Sequence, residues 1–195
     1  MAKKADRRVE RTRQLLEAAL LALIKEKGFD AVSVQDIIDR ANVGRATFYA
    51  HYDNKLDLLA SGFEGLEKDL KKQQGDARNS MANADERLFS FSHALLAHAY
   101  KHREVFPAMV SKGGGAVIQH VLRNLLLQLV RDDLKTIALQ ANKPSMPPEA
   151  VAQFIAGGLF GLLMWWLNGK MQLSVEDANK VFRRLSVPAL KAALR

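Results

Sequence analysis

The sequence predicts an all-α protein of about nine helices, with a small N-terminal domain and a larger C-terminal helical bundle. Apolar residues recur at intervals of three and four along nearly the whole chain, which is the spacing of a helix face, and the alternation typical of strands is almost absent. Polar stretches with glycine or proline interrupt this pattern at 73–84 and 143–148. A chain of 195 residues that is 48% hydrophobic can bury one core or two small ones.

Composition narrows the class of protein. The net charge of +8 favours a polyanionic partner such as nucleic acid. The absence of cysteine excludes disulfides, thiol catalysis and thiolate zinc sites, and it suits a reducing compartment. Charged residues interrupt the N-terminal apolar positions, so no secretion signal is expected. The longest apolar stretch, 154–167, falls short of the roughly 20 residues that span a bilayer. We therefore expect a cytoplasmic protein with no membrane segment.

The N-terminal pattern predicts four helices. The first is expected from about Arg7 to Lys27, ending at Gly28, and the second from an N-cap at Ser33 to Ala41. A turn at 42–44 leads to a short third helix from Arg45 to about His51. A fourth runs from a cap at Asp53 or Asn54 to about Lys72. The apolar residues expected to face the core of these helices are Leu15, Leu16, Ala19, Leu20, Leu23, Ile24, Val34, Ile37, Ile38, Ala41, Ala46, Phe48, Tyr52, Leu56, Leu58, Leu59, Phe63 and Leu66.

Further helices are predicted in the second half, at 85–102, 105–111, 116–140, 149–168 and 175–194. A break is expected at the glycines of 113–115. Ser174 precedes the last helix as an N-cap, and Pro188 should kink that helix or end it early. The polar stretch at 73–84 is the predicted boundary, which divides the chain into a helix-turn-helix domain (1–72, with the motif at about 33–52) and a second domain (85–195).

The third helix has the composition of a helix that enters the major groove of double-stranded DNA. Such a helix needs small or polar residues outward at its N-terminal end and an apolar inner face. Arg45 is the candidate for reading a guanine edge, since its guanidinium can donate two hydrogen bonds. Ser33 and the free amides beside it are a candidate anion site at a helix N-terminus. The candidate DNA-binding residues are Ser33, Gly44, Arg45, Ala46, Thr47, Tyr49, His51 and Lys55, with Thr47, Tyr49, His51 and Lys55 assigned to the phosphate backbone.

Residues from about Arg11 to Phe63 resemble the DNA-binding domain of TetR-type transcriptional regulators. The resemblance is carried by residue types and spacings over some fifty positions: Gly28-Phe29, Ser33-Val34, Ile37, Ala41, Val43, Thr47-Phe48-Tyr49, His51-Tyr52, Lys55 and Leu58-Leu59. Asn42 stands where glycine is frequent in the family, and Gly44 stands where serine is common, which removes one hydroxyl able to touch phosphate. The resemblance implies a regulator that binds DNA as a homodimer, and a C-terminal domain that binds a small-molecule effector and dimerises through its last two long helices.

The C-terminal residues are compatible with that implication. The stretch 154–167 is apolar nearly all round, and Gly157 and Gly161 would permit close approach of another helix. Either a dimer interface or the central helix of a monomeric bundle accounts for this. The candidate lining of an effector pocket is Phe89, Phe106, Met109, Met164 and Trp165, although such side chains are more often plain core. Such a pocket would be mostly apolar, and the sequence does not identify its ligand.

Enzyme chemistry finds no support in the residues. His98 and His102 lie one helical turn apart, but no third metal ligand shares their face, so neither a metal nor a cofactor is predicted. The run Lys112-Gly113-Gly114-Gly115 lacks the spacing of a phosphate-binding loop. No catalytic nucleophile and base are paired. The favoured function is a ligand-responsive repressor that binds a palindromic operator, and the alternative is an architectural helix-turn-helix protein without an effector.

Overall fold

A computed structural model describes residues 2–79, 84–106, 115–138, 145–169 and 172–194. Within these ranges the chain is helical and holds no strand, so the all-α prediction is confirmed. The helices are α1 (Ala2–Lys27), α2 (Val34–Ala41), α3 (Arg45–Tyr49), α4 (Lys55–Asn79), α5 (Ala84–Arg87), α6 (Phe91–Lys101), α7 (Gly115–Ala138), α8 (Pro148–Asn168) and α9 (Val175–Leu194). The predicted helix at 105–111 and the break at 113–115 fall largely outside the described residues, as do the first two residues of the 143–148 linker.

Two compact units make up the chain. The N-terminal unit comprises Met1–Gly65 with Glu104–Gln119, and the C-terminal unit comprises Leu66–Arg103 with His120–Arg195. The fourth helix does not end near Lys72 as expected, because α4 continues to Asn79, through the first half of the polar stretch 73–84. Gln74 explains the difference: its side chain is buried, and its amide donates to the carbonyl of Leu129 over 2.9 Å. A polar residue that reads as loop in the sequence thus serves helix packing.

The N-terminal unit surrounds one hydrophobic core. Leu16, Ile24, Ile37 and Phe48 have no exposed surface there, and Ile118 of α7 joins them. Most of the predicted inward positions are buried. Three are exposed instead: Leu15 is 44% exposed, Leu56 is 41% exposed, and Ala46 is exposed. Each lies at the edge of an apolar stripe, where the width of the covering helices decides burial and a single-helix pattern cannot.

The C-terminal unit contains a break that the sequence did not predict. In place of one helix over 85–102, α5 ends at Arg87 and α6 begins at Phe91. Phe89 between them is fully buried and has a left-handed backbone (φ 54°). Its N–H donates to the buried carboxylate of Asp133 over 2.9 Å, and the Arg183 guanidinium donates to the carbonyl of Leu88. Contacts from α7 and α9 therefore fix a turn that local propensity would not form.

The last two helices hold the apolar stretch. α8 begins with Pro148 in its first turn, where a missing N–H costs nothing, and α9 runs through Pro188 to Leu194. Of the two outcomes expected at Pro188, a kink or an early end, the early end is wrong; Leu190 and Ala193 beyond it are buried and hold the last turns in place. Among the described residues, α8 alone has the length and composition to cross a membrane, and half of its apolar window is buried inside the protein, as in an ordinary core helix.

Candidate nucleic-acid interface

A tight turn joins α2 to α3. Asn42 ends α2 with a left-handed backbone (φ 51°), a conformation that asparagine tolerates better than most residues. Its N–H donates to the Asp39 carbonyl over 3.2 Å, and the Val43 N–H donates to the Ile38 carbonyl over 3.2 Å. The chain then becomes extended at Gly44, the N-cap of α3. The asparagine that departs from the family pattern therefore performs the turn that glycine would.

α3 presents one face to the core and the other to solvent. Phe48 is completely buried, and Tyr52 just beyond the helix is 6% exposed. Arg45, Ala46 and Tyr49 are exposed, so the prediction that Ala46 faces inward is wrong. The helix is shorter than expected and ends at Tyr49. A five-residue helix anchored by Phe48 thus carries an outward face made of Arg45, Ala46 and Tyr49.

Arg45 and Tyr49 contact each other on this outward face. The guanidinium carbon of Arg45 lies 5.7 Å from the centre of the Tyr49 ring, within the range of a cation–π interaction. The Tyr49 ring in turn packs edge-on against Phe48, with 5.3 Å between ring centres. The arginine is therefore steadied by an aromatic ring that is itself fixed to the core. Its hydrogen-bond donors remain at the exposed end of the side chain.

Gly44 is not required by the space around it. A Cβ at this position would lie 3.6 Å from the Thr47 hydroxyl oxygen, an ordinary van der Waals distance. Its φ of −74° and ψ of 150° are open to any residue. A serine would fit here, so neither space nor backbone conformation requires the glycine.

Ser33 is engaged in capping α2. Its hydroxyl accepts from the Asp36 N–H over 3.1 Å, and its own N–H donates to the Asp36 carboxylate over 2.7 Å. The Lys27 ammonium lies 2.8 Å from the Asp36 carboxylate. Together with these Ser33 groups, it holds the pKa of Asp36 well below its usual range. A carboxylate of the chain itself thus occupies the helix N-terminus. An external phosphate at the predicted anion site would have to displace Asp36.

Lys55 is hydrogen-bonded to the connection between α1 and α2. Its ammonium donates to the carbonyls of Phe29, Asp30 and Val32, at distances of 3.0, 3.1 and 2.7 Å. An ammonium has three protons, and these contacts use all of them. The predicted phosphate contact therefore finds no spare donor on Lys55 in this structure. Sequence reasoning missed these partners because they lie 23 to 26 positions earlier in the chain.

Comparison with known proteins identifies the family. Residues 15–61, which contain this whole arrangement, match the model "Bacterial regulatory proteins, tetR family". Residues 86–187 match the model "Transcriptional regulator C-terminal region". This chain belongs to the tetR family. The resemblance noted over residues 11–63 is thereby confirmed and extends into the C-terminal unit.

Individual proteins that are similar to this chain include regulators of transcription. The HTH-type regulator YxbF of Bacillus subtilis is 22% identical over 88% of this chain, which spans only 44% of the length of YxbF. The HTH-type transcriptional repressor KstR of Rhodococcus jostii is 24% identical over 88% of this chain and 79% of its own. A TetR transcriptional regulator of Streptococcus agalactiae has a similar structure, with a TM-score of 0.66, 26% identity, and coverage of 95% of this chain and 99% of the other.

The candidate pocket residues of this tetR-family chain differ in their burial. Phe89 is buried against Phe182, with 5.5 Å between ring centres, whereas Trp165 is 58% exposed. Met164 is half-buried. Phe106 is also half-buried but belongs to the N-terminal unit. Met109 lies outside the described residues. The C-terminal unit has an open cleft of about 350 Å³, but it lies elsewhere, lined by Tyr100 and residues 172–176.

The histidine pair on α6 does not form a metal centre with the residues that the structure describes. The rings of His98 and His102 lie 4.6 Å apart. No group of three histidine, aspartate, glutamate or cysteine side chains in the described ranges could hold a metal ion. Partial burial, and to a smaller extent the neighbouring His102, lower the pKa of His98 to about 4. Partial burial, followed by the neighbouring Lys101, also lowers the pKa of His102, so the two rings meet in their neutral forms at physiological pH.

Proposed function

We propose that this protein is a sequence-specific DNA-binding transcriptional regulator that binds a palindromic operator as a homodimer. The observation that carries the proposal is the outward face of α3, with Arg45 at its N-terminal end and Phe48 fixed beneath it. A major-groove helix contacts base edges through its first residues and needs a rigid inner side. The five-residue α3 meets both needs.

Within this proposal, Arg45 reads a base. It is the first residue of α3 and is exposed, and the Tyr49 ring limits the directions its guanidinium can take. A guanidinium held in this way can donate twice to the N7 and O6 of a guanine. Gly44 and Ala46 beside it are small and exposed, which lets the backbone approach the groove.

The other contacts go to the DNA backbone. Thr47, Tyr49 and His51 lie along α3 and its C-terminal end, where their polar atoms can donate to phosphates. The exposed arginines of the first part of α1 would add salt-dependent affinity; they are Arg7, Arg8, Arg11 and Arg13. Ser33 and Lys55 contribute less directly, since both are bound within the protein.

An uncovered apolar face on α8 and α9 supports the dimer. Phe154 and Leu185 are 70% and 71% exposed, and Trp165 is 58% exposed. Gly157 and Gly161 lie between these side chains along α8, and a Cβ on either would meet nothing within 4 Å. Large exposed apolar side chains of this kind mark an interaction surface. A second copy with the same face, related by a two-fold axis, would cover it.

Two comparisons bear on the effector and on the sign of regulation. The C-terminal unit matches a regulator C-terminal model, and the relative KstR is named a repressor. We propose repression relieved by a small, largely apolar effector in the cytoplasm. Such an effector would weaken DNA binding only by the difference of its affinities for the DNA-competent and incompetent forms.

Selection of genomic fragments by the purified protein tests DNA recognition. The protein should retain a fragment with an inverted repeat whose half-sites are about 34 Å apart, and excess random duplex should not displace it. Its affinity should fall steeply with salt. Equal affinity for the selected fragment and random duplex would sink the proposal. Small molecules are then screened against the complex of the protein with the selected fragment. A compound that leaves DNA binding unchanged is not an effector.

A further inference from the structure

The connection between α1 and α2 turns three main-chain carbonyl oxygens toward one point. They belong to Phe29, Asp30 and Val32, and the Lys55 ammonium sits among them at 2.7 to 3.1 Å. The same nitrogen lies 4.7 Å from the centre of the Phe29 ring, which is itself 3% exposed. The site combines three oxygen acceptors with an aromatic face, and a single cationic side chain fills it.

Helix α4 gains nothing from a lysine at this position. Lys55 is its first residue, where the helix dipole is positive and a cation is unfavourable. The cap is made by the preceding residue, since the Asn54 side-chain oxygen accepts from the N–H groups of Leu56 and Asp57. The contact with the α1–α2 connection is therefore what places the ammonium here.

This contact joins the two ends of the helix-turn-helix. Val32 immediately precedes the Ser33 cap of α2, and Lys55 begins α4. Everything between them, including α2, the turn at Asn42 and α3, lies in a loop of chain that the Lys55–Val32 hydrogen bond closes. We infer that Lys55 is a positioning residue, a clasp that fixes the direction of α3, and that it does not bind phosphate. Its effect on DNA rests on the proposed DNA-binding function.

Replacing Lys55 by arginine distinguishes a clasp from a phosphate contact. Three oxygens around one point match a tetrahedral ammonium, whereas a planar guanidinium sends its donors outward in a fork. Arginine binds phosphate at least as well as lysine does. Lys55→Arg should therefore preserve a phosphate contact and should break the clasp.

The experiment compares Lys55→Met, Lys55→Arg and, as a matched control, Lys68→Met, which removes an exposed lysine of α4 in the C-terminal unit. Dissociation constants for the selected operator are measured over a salt series, at a temperature where circular dichroism shows every variant folded. Both Lys55 variants should bind at least about tenfold more weakly, the order of one lost base contact. The slope of log affinity against log salt should not change, and Lys68→Met should match the wild type.

Three outcomes would overturn the clasp. Wild-type affinity of Lys55→Arg would indicate a phosphate contact, as would a slope reduced by about 0.9 in Lys55→Met. Wild-type affinity of folded Lys55→Met, with only a lower melting temperature, would leave Lys55 a general stability role and no part in positioning.

A second measurement needs no DNA. The N–H groups of Thr47, Phe48 and Ala50 donate to the carbonyls of Gly44 and Ala46 within and around α3. In Lys55→Met their hydrogen exchange should be faster, while the amides of α8 and α9 exchange as before. Unchanged exchange at α3 would refute the clasp. If the wild type recognises no DNA, the proposed function fails, and this result still decides the role of Lys55.

Discussion

The guanidinium of Arg45 and the ring of Tyr49 form a unit on the exposed side of α3, with 5.7 Å between them. Replacing Arg45 by alanine should weaken operator binding by about 1–3 kcal/mol and relax the base preference at one position of each half-site. The physical reason is loss of a bidentate contact to a base. Binding to a set of operators with single base changes measures both effects.

Tyr49 supplies the controls for that experiment. Tyr49→Phe keeps the ring beneath the guanidinium and removes only the hydroxyl, whereas Tyr49→Ala removes both. If the ring orients Arg45, Tyr49→Ala should lose part of the base preference that Arg45→Ala loses. Tyr49→Phe should keep that preference. A uniform loss of affinity for all sequences in Arg45→Ala would show that Arg45 holds phosphate and reads no base.

His98 should make the stability of the protein depend on pH. Partial burial, and then the neighbouring His102, lower its pKa to about 4 from the usual 6.5. Between these values the unfolded chain binds a proton that the folded chain does not, so stability should fall as the pH falls from 6.5 to 4. This loss of stability is reduced because the His98 side chain is still exposed to water.

Urea unfolding at pH 7.5 and pH 4.5 measures this dependence. His98→Gln should lose a smaller part of its stability over that interval than the wild type does. Glutamine leaves the length of the side chain similar and does not titrate. An identical pH dependence of wild type and His98→Gln would show that other groups account for it.

At the scale of the helix, replacing two neighbouring leucines of α1 by alanine should lower the free energy of unfolding by very different amounts. Leu16 has no exposed surface and Leu15 is 44% exposed. Leu16→Ala should cost about 2–5 kcal/mol of unfolding free energy, because it leaves a cavity in a packed core. Leu15→Ala should cost less than about 1 kcal/mol, since the residue is already half in water. Denaturant unfolding of the two variants checks this, and similar losses would contradict the burial of α1.

Helix ends set by local chemistry were predictable from the sequence. α2 and α9 begin where expected, because Ser33 with Asp36 and Ser174 with Asp177 form N-terminal caps within four residues. The pairing of Arg45 and Tyr49 on one face of α3 was also predictable, since residues four positions apart lie one helical turn from each other.

Features set by distant contacts were not predictable. The continuation of α4 past Gln74 depends on a carbonyl of α7, and the break at Phe89 depends on the carboxylate of Asp133. Lys55 shows the same limit within the site, because its type suggests a phosphate contact while its partners lie in the α1–α2 connection. Residue type indicates what a side chain can bind, and tertiary structure decides which partner it has.

At the scale of the whole molecule, the proposed function requires two copies of α3. One five-residue helix can contact only a few base pairs, so an operator of useful specificity needs paired half-sites. The apolar face of α8 and α9 is a surface suited to form the pair, since Phe154, Trp165 and Leu185 would otherwise stay in water.

Leu185→Glu tests that requirement. In a monomer the residue is 71% exposed, so the substitution should leave helix content unchanged. In a dimer it would bury an unpaired carboxylate, at a cost of at least about 2 kcal/mol, and should raise the dimer dissociation constant at least about thirtyfold. Sedimentation analysis measures that constant, with Leu15→Glu as the control because it places the same charge on an exposed leucine outside this face.

Operator binding should fall together with dimerisation. A Leu185→Glu monomer keeps α3 intact, so it should retain weak binding to an isolated half-site while losing its preference for the inverted repeat. If Leu185→Glu stays dimeric with wild-type affinity, the copies pair through another surface. If the variant is monomeric yet still prefers the full repeat as strongly as the wild type, one chain suffices for recognition and the two-copy requirement is wrong.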